Sequence, residues 1–205
     1  MKKMMFNDRY GLTRAVIDGR KTVTRRVIKS DLLWPISKIE AEGMRGDIIN
    51  VIAGNGKIVV ECKCPYKIGE IVAVAQSYQE LDNEWYRNHI GVHPAESPYS
   101  SCENMAGWKN KMFVQAEACK HQIHIKDLRI ERLQDISDDY FKEGITFLVS
   151  ADDGRIQWGY ADEHLRYYMF DSPREAFASL IDKVSGRGTW DRNPFVWRIE
   201  FQLVK

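Results

Sequence analysis

The sequence holds no apolar run long enough to cross a bilayer, so no membrane role is expected of it. The opening MKKMMFNDRY has lysines but no apolar stretch behind them, which reads as no secretory leader and places the protein in the cytoplasm. Neither sign of charge dominates. Thirty Lys and Arg stand against 29 Asp and Glu, a net charge of +1. A chain so balanced does not coat nucleic acid by bulk charge, and any such role must rest on a local patch. Cysteine is scarce: Cys62, Cys64, Cys102 and Cys119. Cys62-Lys63-Cys64 is a C-x-C and not the C-x-x-C usual at zinc sites, so we read reduced thiols, no metal and no cofactor. G-x-x-x-x-G-K-[ST], G-x-G-x-x-G after a strand, and G-x-S-x-G are all missing, which removes the common nucleotide-binding and serine-hydrolase signatures. The zinc-deaminase pairing of His-x-Glu with Pro-Cys-x-x-Cys is missing too. There is no internal repeat and no low-complexity tract.

What remains is a globular sequence of 205 residues, 44% hydrophobic and 29% charged, read as one domain. Leu12, Ala15 and Val16 mark a short amphipathic helix stopped by Gly19. Ile48 to Ile52 and Ile58 to Val60 flank Gly54-Asn55-Gly56, a hairpin signal. Ile71 to Ala75 is apolar on both faces and predicts a buried strand. Met112, Val114, Ala116 and Ala118 alternate as a strand does. Ile123 and Ile125 continue the pattern, which slips by one residue near Lys126-Asp127 to Leu128 and Ile130 and predicts a bulge. Ser137-Asp138-Asp139 opens a short helix ending at Gly144. Asp152-Asp153-Gly154 marks a turn. Phe177, Leu180, Ile181 and Val184 form one face of a helix begun near Pro173 and ended by Gly186. Phe195 to Val204 alternates as a final strand. Residues 82–110 read as a long inserted loop carrying Trp85, Tyr86, Tyr99 and Trp108. The fold class is α+β: a mixed barrel of about six strands with flanking helices.

One motif stands apart from this neutral background. GRKTVTRR, residues 19–26, holds Arg20, Lys21, Arg25 and Arg26 with Thr22 and Thr24 between them. Read blandly, it is a basic turn offsetting a helix C-terminus. Read chemically, arginine forks and threonine hydroxyls suit phosphate and polar base edges. A lysine beside other cations loses its proton more readily and can serve as base or nucleophile. Lys21 and Thr24 would face opposite sides of a regular strand, so they converge only if residues 21–24 form a turn.

Five stretches together resemble the ASCH domain, a relative of the PUA domain: GRKTVTRR, YKIGEIVAVAQSY at 66–78, WKNKMFVQAEA at 108–118, LRIERLQDISDDYFKEGI at 128–145 and FASLIDKVSGRGTWDRNPFVWRIEF at 177–201. Order and spacing are most similar to the larger ASCH proteins of phages and gut bacteria. The resemblance implies a PUA-like barrel with a cleft and a link to RNA or modified nucleosides. Some small members hydrolyse the acetyl amide of N(4)-acetylcytidine with a lysine, a threonine and a glutamate. Carried over, these fall on Lys21, Thr24 and Glu143. Lys21 would activate Thr24 or a water, Glu143 would relay the proton, and Arg25 or Arg26 would hold an oxyanion or phosphate. Arg20, Thr22, Gln76, Tyr78, Trp190 and Asn193 complete the expected ligand-binding set. Gln76 and Tyr78 stand where larger relatives carry Glu and Trp, and Gln76 cannot act as an acid or base. Two further readings stay open: binding without catalysis, and a phage-related protein-interaction module contacting its partner through 82–110.

Overall fold

The computed structural model describes residues 1–29, 41–45, 48–53, 57–91, 93–137, 139–149 and 154–204. In chain order these form β1 (Lys3–Met4), α1 (Leu12–Ile17), β2 (Val23–Val27), β3 (Ala41–Arg45), β4 (Ile48–Ala53), β5 (Lys57–Lys63) and β6 (Ile71–Val74). There follow α2 (Tyr78–Asn88), β7 (Gln122–Arg132), β8 (Thr146–Val149), β9 (Ile156–Ala161) and β10 (Tyr167–Phe170). The chain ends with α3 (Pro173–Ser185), α4 (Thr189–Arg192) and β11 (Phe195–Leu203). It divides into two compact units. The first comprises Met1–Phe6, Ile71–His124 and the C-terminal residues from Leu203; the second comprises Asn7–Glu70 and Ile125–Gln202. Strand β7 begins in one and continues in the other. No helix among the described residues is long and apolar enough to cross a membrane.

In the first unit β1 runs parallel to β6, with Lys3 opposite Ala73, and β6 runs antiparallel to β7, with Val72 opposite Ile123. Val72, Ala73, Val74 and Ala75 are fully buried, as the unbroken apolar run predicts, but Ile71 at the start of the run is 47% exposed. The alternation at 111–119 does not make a strand. Lys111–Phe113 and Ala116–Ala118 are 3-10 turns, with Met112 and Phe113 exposed and Val114, Ala116 and Cys119 packed together. Ala116, Ala118 and Gln115 carry little strand preference, and the period-2 pattern misled. The stretch 82–110 is not one loop either. Helix α2 runs through its first residues, started by a capping box in which the Ser77 hydroxyl accepts from Glu80 N and Ser77 N donates to the Glu80 carboxylate.

In the second unit β11 lies between β7 and β2. β3, β4 and β5 form one antiparallel meander, and β8, β9 and β10 form another. The Gly54-Asn55-Gly56 turn lies outside the described residues, as do Asp138, Asp152 and Asp153. The β8–β10 meander was not read from the sequence, and β8 leaves Phe147, Leu148 and Val149 exposed. Helix α1 ends before Gly19, which sits at φ +73°, and α3 runs from Pro173 to Ser185 with the Ser172 hydroxyl capping Glu175 N. Val184, placed on the buried face from its spacing, is 39% exposed. The buried residues of β7 change parity between Ile125 and Leu128, where the slip was expected. The α+β class stands. Among the described residues the strands make open sheets and no closed ring.

Candidate functional site

Lys21 precedes β2, and its backbone N–H donates to Ala15 O at 2.8 Å, tying it to the end of α1. Thr22 N donates to Lys142 O at 2.9 Å, which brings the 141–144 turn alongside. That turn is a 3-10 segment (Phe141–Glu143) ended by Gly144 at φ +95°, a conformation glycine adopts without a Cβ penalty. The result seats Glu143 directly over Lys21. The Lys21 ammonium donates to Glu143 Oε2 at 2.6 Å, to Glu143 O at 2.9 Å and to Val23 O at 2.7 Å, so all three of its protons have acceptors. Both side chains are almost wholly buried, 2% and 4% exposed. Burial pushes the Lys21 amine below the ordinary lysine value; Glu143 opposes this, and Arg26 and Arg25 add to it.

The other oxygen of Glu143 accepts from Arg25 Nη1 at 2.9 Å. Arg25 Nε donates to Glu131 at 2.7 Å, and its Nη2 lies 3.6 Å from Asp139. Directly opposite Arg25 on β11 is Arg198, which grips Asp139 at 2.6 Å and meets Glu200 at 2.9 Å. Burial works to raise the Asp139 carboxyl, but Arg198 and Lys142 outweigh it and hold the group below the ordinary aspartate value. Lys21, Arg25 and Arg198 are thus neutralised by acids of their own unit. The two central cations of GRKTVTRR are bound within the protein and not presented to a ligand.

Thr24 sits inside a regular strand, paired with Ile199. Residues 23–27 are extended, so alternation turns Thr24 to the face opposite Arg25. No hydrogen bond among the described residues joins its hydroxyl to Lys21 or Glu143. The structure therefore brings together two of the three expected catalytic residues, and the turn that would have added Thr24 is not formed. Arg26 shares Thr24's face of β2 and is half-buried, paired with Trp197, and among the described residues the Thr22 backbone donates to Lys142 and accepts from Phe201 N at 2.9 Å.

The remaining ligand-binding candidates have structural partners. Trp190 packs edge-on to Phe177 at 6.1 Å beneath the Arg174 guanidinium at 4.8 Å, and its carbonyl accepts from Gln134 at 2.7 Å. Asn193 caps α4 with φ +44° and accepts from Gln134 N at 2.8 Å. Gln76 and Tyr78 belong to the other unit. Gln76 is 2% exposed and bridges Glu84 and the Lys120 backbone. The Tyr78 ring presses on Gly107 so closely that a Cβ there would lie 2.7 Å from it.

A cavity of about 480 Å³ opens beside the Lys21–Glu143 pair, and sequence reasoning did not find it. Arg20, Ala15 and Gly144 line it. Lys21 and Glu143 stand one residue behind that wall: a Cβ built on Gly144 would fall 3.8 Å from Lys21 Cδ. Tyr10, Tyr160 and Tyr167 supply aromatic walls, from β9, β10 and the segment before α1. Tyr10 and Tyr160 are buried and meet edge-on at 5.9 Å, whereas Tyr167 is 52% exposed at the rim. Arg14 and Arg20 share Asp18, at 2.9 and 3.4 Å. Three acids, Asp8, Asp162 and Glu163, also line the space. Asp162 ties its loop together by accepting from His164 N and Arg166 N, and Leu165 is held at φ +59° on the rim. A bulky residue in that region is strained, and such strain gathers at ligand clamps. The signal that could have revealed this cavity was the pair Tyr160 and Tyr167, but it spoke equally for strands.

No protein-family model, curated protein or solved structure matches the chain.

Proposed function

We propose that the second unit binds an uncharged, nucleoside-sized molecule in the tyrosine-walled cavity, in line with the resemblance to ASCH domains and their PUA-like barrel. The observation that carries this reading is the cavity itself. Its 480 Å³ falls within the range of ligand pockets, about 300–1,000 Å³. Its aromatic rings offer stacking faces, and its polar rim offers donors and acceptors for a base edge. The charges that line it, two arginines against three acids, favour a free nucleoside over an RNA strand. RNA would call for a row of uncompensated cations, and of GRKTVTRR only Arg20 reaches the cavity.

Calorimetric titration with cytidine, N(4)-acetylcytidine and a short single-stranded RNA tests the reading. Saturable nucleoside binding with little salt dependence is expected, weakened about tenfold or more in Tyr167→Ala by loss of a stacking face. Silence with both nucleosides up to millimolar concentration, or tight RNA binding with a steep salt slope, would overturn it.

Hydrolysis of the acetyl amide is a second reading, favoured by the 2.6 Å contact of Lys21 with Glu143. It requires the pair to open toward the cavity past Gly144 and a water to stand in for Thr24 as nucleophile. Absorbance of N(4)-acetylcytidine would then fall with time for the native protein and not for Lys21→Met. A flat trace with the native protein removes the hydrolase reading and leaves binding intact.

A further inference from the structure

Residues 82–110 build a second hollow, of about 240 Å³, within the first unit. Asp82 and Tyr86 stand one turn apart on α2 and so share a face. Both line the hollow, with Ser100, Glu103 and Trp108 from the segments that follow. Trp108 is fixed there because its carbonyl accepts from Gln79 N at 3.0 Å, in the first turn of α2.

Asp82 is only 9% exposed. It accepts a short hydrogen bond from the Ser97 hydroxyl. No lysine, arginine or histidine pairs with it among the described residues, and none pairs with Glu103. A buried carboxylate without a counter-charge is costly, and proteins ordinarily place a cation beside it. Here the place beside it is a hollow bounded by Trp108 and Tyr86, whose ring faces attract cations. The donor set disfavours a metal: the lining offers two carboxylates, and no group of three His, Cys, Asp or Glu suited to a metal ion occurs among the described residues. The volume is below that of a drug-sized pocket and suits a single small head group.

We propose that this hollow binds a small organic ammonium ion, with Asp82 as its counter-charge and Trp108 and Tyr86 as aromatic walls. The chemistry is shared by a free quaternary amine and by a methylated lysine side chain, and the experiment separates them. Calorimetry is run with choline, with choline's uncharged carbon isostere, and with a short peptide bearing trimethyl-lysine, against potassium chloride at matched ionic strength. Choline is expected to bind saturably, its isostere at least tenfold more weakly, and Asp82→Asn to lose at least tenfold in choline affinity. Trp108→Leu should weaken both ammonium ligands. A peptide that binds at least tenfold more tightly than choline identifies a protein side chain as the source; equal binding identifies a free amine. Equal affinity for choline and its isostere in the native protein overturns the proposal, and so does an absence of heat with every ammonium ligand. The isostere comparison uses the native chain, so it decides even where Asp82→Asn fails to fold.

Discussion

Glu143 holds two cations at once, Lys21 through one oxygen and Arg25 through the other. Replacing it with alanine leaves the Lys21 ammonium buried among carbonyls alone. Breaking a buried pair in this way costs about 3–5 kcal/mol, because the surviving charge stays desolvated. We expect Glu143→Ala to lower the urea midpoint accordingly, and Lys21→Met combined with Glu143→Leu to recover most of the loss. A Glu143→Ala protein as stable as the native one would mean that the pair does not hold the 141–144 turn in place. The basic character of GRKTVTRR was plain in the sequence, but its neutralisation was not. Lys21 and Glu143 lie 122 residues apart, Arg25 and Glu131 lie 106 apart, and no local spacing reports such meetings. The Lys21–Glu143 pairing was reachable only through the resemblance.

Elements with strong periodicity and clear ends were legible before the structure. Helix α3 has its Pro173 start, its Gly186 stop and Phe177, Leu180 and Ile181 buried on one face. Helix α1 and strand β11 were equally clear. Helix α2 was hidden because it has no apolar stripe: of its two buried residues, Leu81 and Asp82, only Leu81 is apolar. Its legible mark was the Ser77-x-x-Glu80 start, which the loop-like composition beyond it obscured. That start is reciprocal, with two otherwise orphaned donors satisfied by two short side chains. Ser77→Ala should therefore destabilise the first unit by about 1 kcal/mol. Amide exchange should report the change as faster exchange at Tyr78 to Leu81, with α3 unaffected. Equal acceleration in both helices would show that the loss is not local to the cap.

Acid should unfold the protein through particular carboxylates. Burial alone would raise Glu84, but Lys120 and His121 outweigh it and hold the group below its ordinary value of 4.5, and Asp139 lies below 3.8 for the reasons given above. A carboxylate depressed in the folded state binds fewer protons there than in the unfolded chain. Its stabilisation is complete above the unfolded value and disappears as the pH falls through the folded one. The urea midpoint should therefore hold down to about pH 5 and decline below it, more shallowly in Asp139→Asn. An acid limb of unchanged slope in that variant would assign the effect elsewhere.

The uncovered side chains of β8 bear on how the whole chain behaves in a tube. Phe147, Leu148 and Val149 are each about half exposed, 47%, 43% and 58%, on a strand that carries no lysine or proline to discourage neighbours. With a pI of about 7.7, the molecule has almost no net charge in ordinary neutral buffer to keep copies apart. We expect clouding on concentration to be worst at the pH most laboratories would choose first, and a shift to about pH 6 or 9 to restore colloidal repulsion; turbidity measured across that range checks it.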